Sequence, residues 1–107
     1  MNAATTPSDS LTVKVAAGLS LRISYTTRRD ALVISLFKVR PLRRGMVVGY
    51  NTNVVTFVAD KQSKPYIRFD YHGGREFVLD GFFVDLPEAS AKRIAAFLGI
   101  DLPGEAP

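Results

Sequence analysis

The chain has no cysteine and a single histidine in its 107 residues. The first absence removes a disulfide scaffold, a thiolate metal site and a cysteine nucleophile together. It fits a cytoplasmic protein, and that location is expected. Long apolar runs are missing too. Stretches such as Ala31–Phe37, which is interrupted by Ser35, fall far short of the roughly 18 residues that a membrane helix needs. The opening MNAATTPSDS has neither Lys nor Arg and no apolar block behind it, unlike a signal peptide. Residues 1–10 and 101–107 are expected to be flexible tails around a single globular domain over residues 11–100.

Catalytic patterns are absent as well. There is no Gly-x-Ser-x-Gly elbow, no Gly-x-Gly-x-x-Gly and no Walker loop. The nearest approach to a metal or acid–base cluster is His72 with Asp70 and Asp80, which could share one polar sheet face. Metal sites take three or four ligands, and Arg68 and Arg75 compete for these carboxylates, so cross-strand ion pairing is the expected role. The expectation is a protein with no catalytic residue, no metal site and no cofactor: not an enzyme.

What the chain does contain is period-two alternation. Leu11, Val13 and Val15 alternate with Thr12 and Lys14. After a break at Gly18, Leu19, Leu21, Ile23 and Tyr25 alternate with Ser20, Arg22, Ser24 and Thr26. Both read as half-buried strands with a polar outer face. Ala31–Val39 is apolar on both faces, as in an interior strand or one covered by the helix or a partner chain. With Thr27–Asp30 as its hairpin loop, Tyr25 falls opposite Leu32, Ile23 opposite Ile34 and Leu21 opposite Leu36, all on one face. Met46–Tyr50 and Val54–Ala59 read as two strands around a turn at Asn51–Asn53. Tyr66–His72 alternates again. A three-residue loop at Gly73–Arg75 pairs Tyr71 with Phe77 and Phe69 with Leu79, keeping the apolar sides matched.

One helix stands out over Pro87–Leu98. Pro87 suits its first position, Glu88 its positive end and Gly99 its left-handed cap. Ala91, Ile94, Ala95 and Leu98 form the apolar stripe. The expected fold class is α+β: about six or seven antiparallel strands in mostly meander order, followed by one C-terminal helix packed on the sheet. Phe82 and Phe83 are adjacent and so point to opposite sheet faces. One of them needs cover, and together with the two-faced strand this points to a homodimer.

Charge is unevenly spread. Residues 1–53 hold eight Lys/Arg and two acids, a net +6, whereas residues 54–107 carry a net −2. The excess concentrates in Arg28 and Arg29 of one loop and in Lys38, Arg40, Arg43 and Arg44 of another. Arginine's planar fork suits phosphate. Cationic surfaces with stacking aromatics, here Tyr25, Phe37 or Tyr50, hold single-stranded nucleic acid. The expected function is therefore nucleic-acid binding, single-stranded DNA or RNA included, or transcription regulation, through these six cations. The alternative is an adaptor or regulatory subunit that recognises an acidic protein partner through the same loops. In element order alone, the chain is similar to the positive-cofactor type of transcription coactivator, a small sheet-plus-helix single-strand binder. No family motif accompanies that likeness, and no residue is carried over from it.

Overall fold

The computed structural model of the chain describes residues 9–40 and 50–104. Its strands are β1 (Ser10–Ala16), β2 (Leu19–Tyr25), β3 (Leu32–Arg40), β4 (Tyr50–Val58), β5 (Tyr66–Phe69), β6 (Arg75–Leu79) and β7 (Phe82–Leu86), and the helix α1 (Glu88–Leu98) comes last. The α+β class read from the sequence holds. The strands divide into two antiparallel meanders, a four-stranded sheet β1-β2-β3-β4 and a three-stranded sheet β5-β6-β7. Among the described residues, no helix is long and apolar enough to cross a membrane.

The β2–β3 hairpin has the register that alternation and loop length require: Tyr25 opposite Leu32, Ile23 opposite Ile34 and Leu21 opposite Leu36. The β5–β6 register differs from expectation. Ile67 pairs with Phe77, Arg68 with Glu76 and Phe69 with Arg75, so the loop runs over residues 70–74 rather than Gly73–Arg75. The cause is Asp70, whose Oδ1 accepts the His72 and Gly74 N–H groups at 2.8 Å each. Gly73 takes φ +86, a conformation that favours glycine. This side chain builds a longer turn than spacing alone suggests. Asp80 lies in the turn at the other end of β6, so it does not join Asp70 and His72.

A second correction concerns Asn51–Asn53, which lie inside β4 rather than in a turn between two strands. The ladder pairs Leu36 with Val55 and Phe37 with Asn53, so Val54 is the extra residue of a β-bulge. The turn-like Asn-Thr-Asn is absorbed by that irregularity. Met46–Gly49, the remainder of the expected separate strand, lie outside the described residues.

The inner faces of both sheets and one stripe of α1 converge on one core. Val13, Leu21, Ile23 and Ile34 come from the larger sheet, Phe77 and Leu79 from the smaller, and Ile94 from the helix. Pro87 sits at the N-cap and Gly99 takes φ 67 at the C-cap. Ser90, Ala91, Ile94 and Ala95 are the buried helical residues. Ser90 is polar, yet it is satisfied: its Oγ donates to the Lys14 carbonyl at 2.5 Å, tying the helix to β1. Phe82 packs against Phe57 with ring centroids 5.4 Å apart. Phe83, on the opposite face, is 61% exposed.

Candidate functional site

Pleating sends alternate side chains of β1–β4 outward. The outward rows are Ser10–Ser24–Val33–Val58, Thr12–Arg22–Ser35–Thr56 and Lys14–Ser20–Phe37–Asn53. None of the four strands contains an Asp or Glu. Lys14 and Arg22 therefore stand on this face with no acidic partner among the described residues.

At the centre, Arg22, Ser35, Phe37 and Asn53 line a shallow depression of about 210 Å³. Its polar groups are ordered by one hydrogen-bond chain. The Thr56 hydroxyl donates to Asn53 Oδ1 at 2.7 Å. Its single proton is thereby used, so the Ser35 hydroxyl, 3.1 Å away, donates to Thr56. Asn53 is left presenting its amide N–H groups beside the Arg22 guanidinium. A depression that sets the Arg22 guanidinium and the Asn53 N–H groups next to an aromatic ring suits a ligand rich in acceptors, such as phosphate or a nucleobase.

The cations singled out from the sequence fall into two groups rather than one rim. Arg28 and Arg29 lie in the β2–β3 turn, whereas Lys38 and Arg40 lie at the far end of β3. The nine residues of β3 separate them by about 27 Å, at ~3.4 Å per residue. Arg28 is exposed and has no acidic partner among the described residues. Arg29 is engaged: it forms an ion pair with Asp9, and its guanidinium carbon lies 4.5 Å from the Tyr25 ring centroid. Its φ of +58, rare outside glycine, holds it in that position. Lys38 is exposed opposite Leu19 and Thr52. Arg40 closes β3 opposite Tyr50. Arg43 and Arg44 lie outside the described residues.

A larger cleft of about 290 Å³ opens between the β2–β3 turn, the β4–β5 loop and the end of α1, with Tyr25, Arg29, Leu32, Lys61 and Leu98 among its walls. Two of its rim cations are already matched. Arg29 pairs with Asp9, and Lys61 reaches Asp30 at 3.1 Å. The Thr26 hydroxyl and Lys61 together hold the Asp30 carboxyl below its ordinary range. Size alone does not make this cleft the better site, because acids and cations share its rim and Arg29 and Lys61 are already paired.

The outer face of the smaller sheet is also self-paired. Arg68 Nε donates to Glu76 at 2.7 Å, and that carboxylate raises the arginine's proton affinity. No trio of His, Asp and Glu suited to a metal forms among the described residues.

Sequence reasoning placed Arg22 on a polar strand face but missed it as a site residue, along with Lys14, Ser35, Asn53 and Thr56. The available signal was negative: residues 10–29 and 31–59 contain no acid at all. Neither a protein-family model, nor a curated protein, nor a solved structure matches this chain.

Proposed function

We propose that the protein binds single-stranded nucleic acid along the outer face of the β1–β4 sheet, without catalysing a reaction on it. The observation that carries this reading is the acid-free sheet face, with Lys14 and Arg22 lacking an acidic partner among the described residues and Arg22 beside Phe37 and the Asn53 amide. A strand crossing this face runs from Arg28 at one end of β3 past Arg22 and Phe37 to the other end, where Arg43 and Arg44 follow in the sequence; Lys38 shares the pleat side of Ile34 and Leu36 and so lies off this face. Arg22 meets phosphate, Phe37 offers a surface for base stacking, and Asn53 donates to an acceptor. Arg29, neutralised by Asp9, contributes least of the six cations. A span of about 27 Å accommodates a handful of nucleotides, the lower end of the roughly 4–16 that single binding modules cover.

Fluorescence anisotropy with single- and double-stranded oligonucleotides across a salt series tests the reading. Engagement of about four phosphates of a single strand gives a log–log salt slope of roughly −3. Combining Arg43→Glu with Arg44→Glu weakens binding to all sequences alike and makes the slope shallower. Absence of binding even at low salt overturns the reading. The same cations would then be assigned to an acidic protein partner, the adaptor alternative, whose binding competing oligonucleotide does not displace.

A further inference from the structure

The four sheet edges are not equally protected. β5 is only four residues long and carries Arg68. β7 carries Asp85, and β1 carries Lys14 and lies against α1 and β7. β4 is nine residues long, contains no charged residue and no proline, and has no backbone partner on its outer side among the described residues. Long, neutral, exposed edges are the ones that pair with another strand.

The geometry points to a second copy of this chain as that strand: we infer a two-fold dimer in which β4 pairs antiparallel with β4 of its partner, centred on Thr56. Hydrogen-bond parity supports this centre. The Ala59 N–H donates to the Leu32 carbonyl at 2.8 Å, so Ala59, and by alternation Phe57 and Val55, turn their backbone groups towards β3. Thr56 and Val58 turn theirs outward. A two-fold axis at Thr56 makes Thr56–Thr56 a hydrogen-bonded pair and brings Val58 of each protomer opposite Val54 of its partner. Val54 and Val58 are 50% and 63% exposed on the outer face, and this register sets each against the other. On the inner face the same register pairs Val55 with Phe57. The bulge lies N-terminal to Val55 and leaves the Val55–Val58 half of β4 regular.

The sequence expectation of a homodimer rested on the two apolar faces of β3 and on Phe82–Phe83. The structure offers the β4 edge as a different surface for it. The inference does not depend on nucleic-acid binding. It does join two four-stranded sheets into one eight-stranded platform with an Arg22 on each half.

Sedimentation equilibrium of the full chain, without nucleic acid, is the test. The expected mass at high micromolar concentration is twice the 11.7 kDa of one chain. Val58→Pro removes an outward N–H without touching the β3 ladder, so it yields a monomer whose circular dichroism is unchanged. Val58→Lys and Val54→Glu each disrupt the dimer alone. Combined in one chain they restore it, because each lysine then faces a glutamate of the partner. A monomeric wild type overturns the inference, as does a dimer that survives Val58→Pro. A folded double variant that stays monomeric overturns the register.

Discussion

On the outer face of the four-stranded sheet, Lys14 and Arg22 stand without an acidic partner among the described residues; on the outer face of the three-stranded sheet, Arg68 is held by Glu76 at 2.7 Å, with Asp85 on the next strand. Both faces are polar and solvated, and both carry arginine. They differ in what their charge is committed to. An arginine that already shares its protons with a carboxylate gains little from a phosphate, because the existing pair must first be broken. An arginine among hydroxyls and an amide has no such partner to lose. Each face carries an arginine, and what separates them is whether that arginine is already matched by a carboxylate.

The largest expected effect comes from breaking the frame that keeps both faces in place. Ile94 is fully buried where the helix meets the sheets. Ile94→Asp buries an unpaired charge and should cost on the order of 3 kcal/mol or more, seen as a large fall in melting temperature and loss of both surfaces. Next is Arg22→Glu. It should weaken single-strand binding roughly tenfold or more, since a charged hydrogen bond is lost and repulsion replaces it. Its melting temperature should stay near that of the wild type, because Arg22 has no acidic partner to abandon among the described residues. Arg68→Glu should do the reverse, lowering the melting temperature slightly while leaving oligonucleotide affinity unchanged. Equal binding losses for Arg22→Glu and Arg68→Glu would erase the distinction between the faces.

The smallest effect sharpens the acidic side. Burial and the nearby Asp70 and Glu76 carboxylates push the Asp85 carboxyl above its ordinary value of 3.8. Asp70 moves the other way: partial burial pushes it up, but the His72 and Gly74 N–H donors outweigh that and leave it below its ordinary value. A carboxyl with a raised folded-state pKa loses its contribution to stability as pH rises from 3.8 through the higher folded value. Asp85→Asn should therefore melt slightly above the wild type at pH 7. The difference should vanish near pH 3, where both forms are neutral at that position. An advantage that persists at pH 3 would show that charge is not its source.

The contrast between the faces also shows what sequence could and could not reveal. The β2–β3 hairpin was legible because four polar residues separate two runs whose apolar positions match in one way. The β5–β6 register was not, although the same rule was applied. Ile67 opposite Phe77 and Ile67 opposite Gly81 differ by four residues, and an even shift keeps every side chain on its own face. Alternation is blind to such shifts. The Asp70 side chain decides between them, through hydrogen bonds that pattern does not encode. The loop arginines were conspicuous because they are clustered in the sequence. Arg22 was inconspicuous because its neighbours Thr12, Ser35 and Thr56 come from three other strands. Its isolation from acids becomes visible only when those strands are laid side by side.

The hydrogen bond from Ser90 to the Lys14 carbonyl joins residues 76 apart in the chain. During synthesis this has a consequence in time. Hairpins of the β1–β4 sheet close within microseconds of leaving the ribosome. At ~5–20 residues per second, the helix follows the end of β4 by roughly 2–8 seconds. Until β5–β7 and then α1 have emerged, the inner surface bearing Leu21, Ile23 and Ile34 lacks part of the cover it has in the finished fold. A nascent chain stalled before Glu88 thus carries both sheets, yet leaves open to water the apolar surface that Ala91, Ile94 and Ala95 cover in the finished fold.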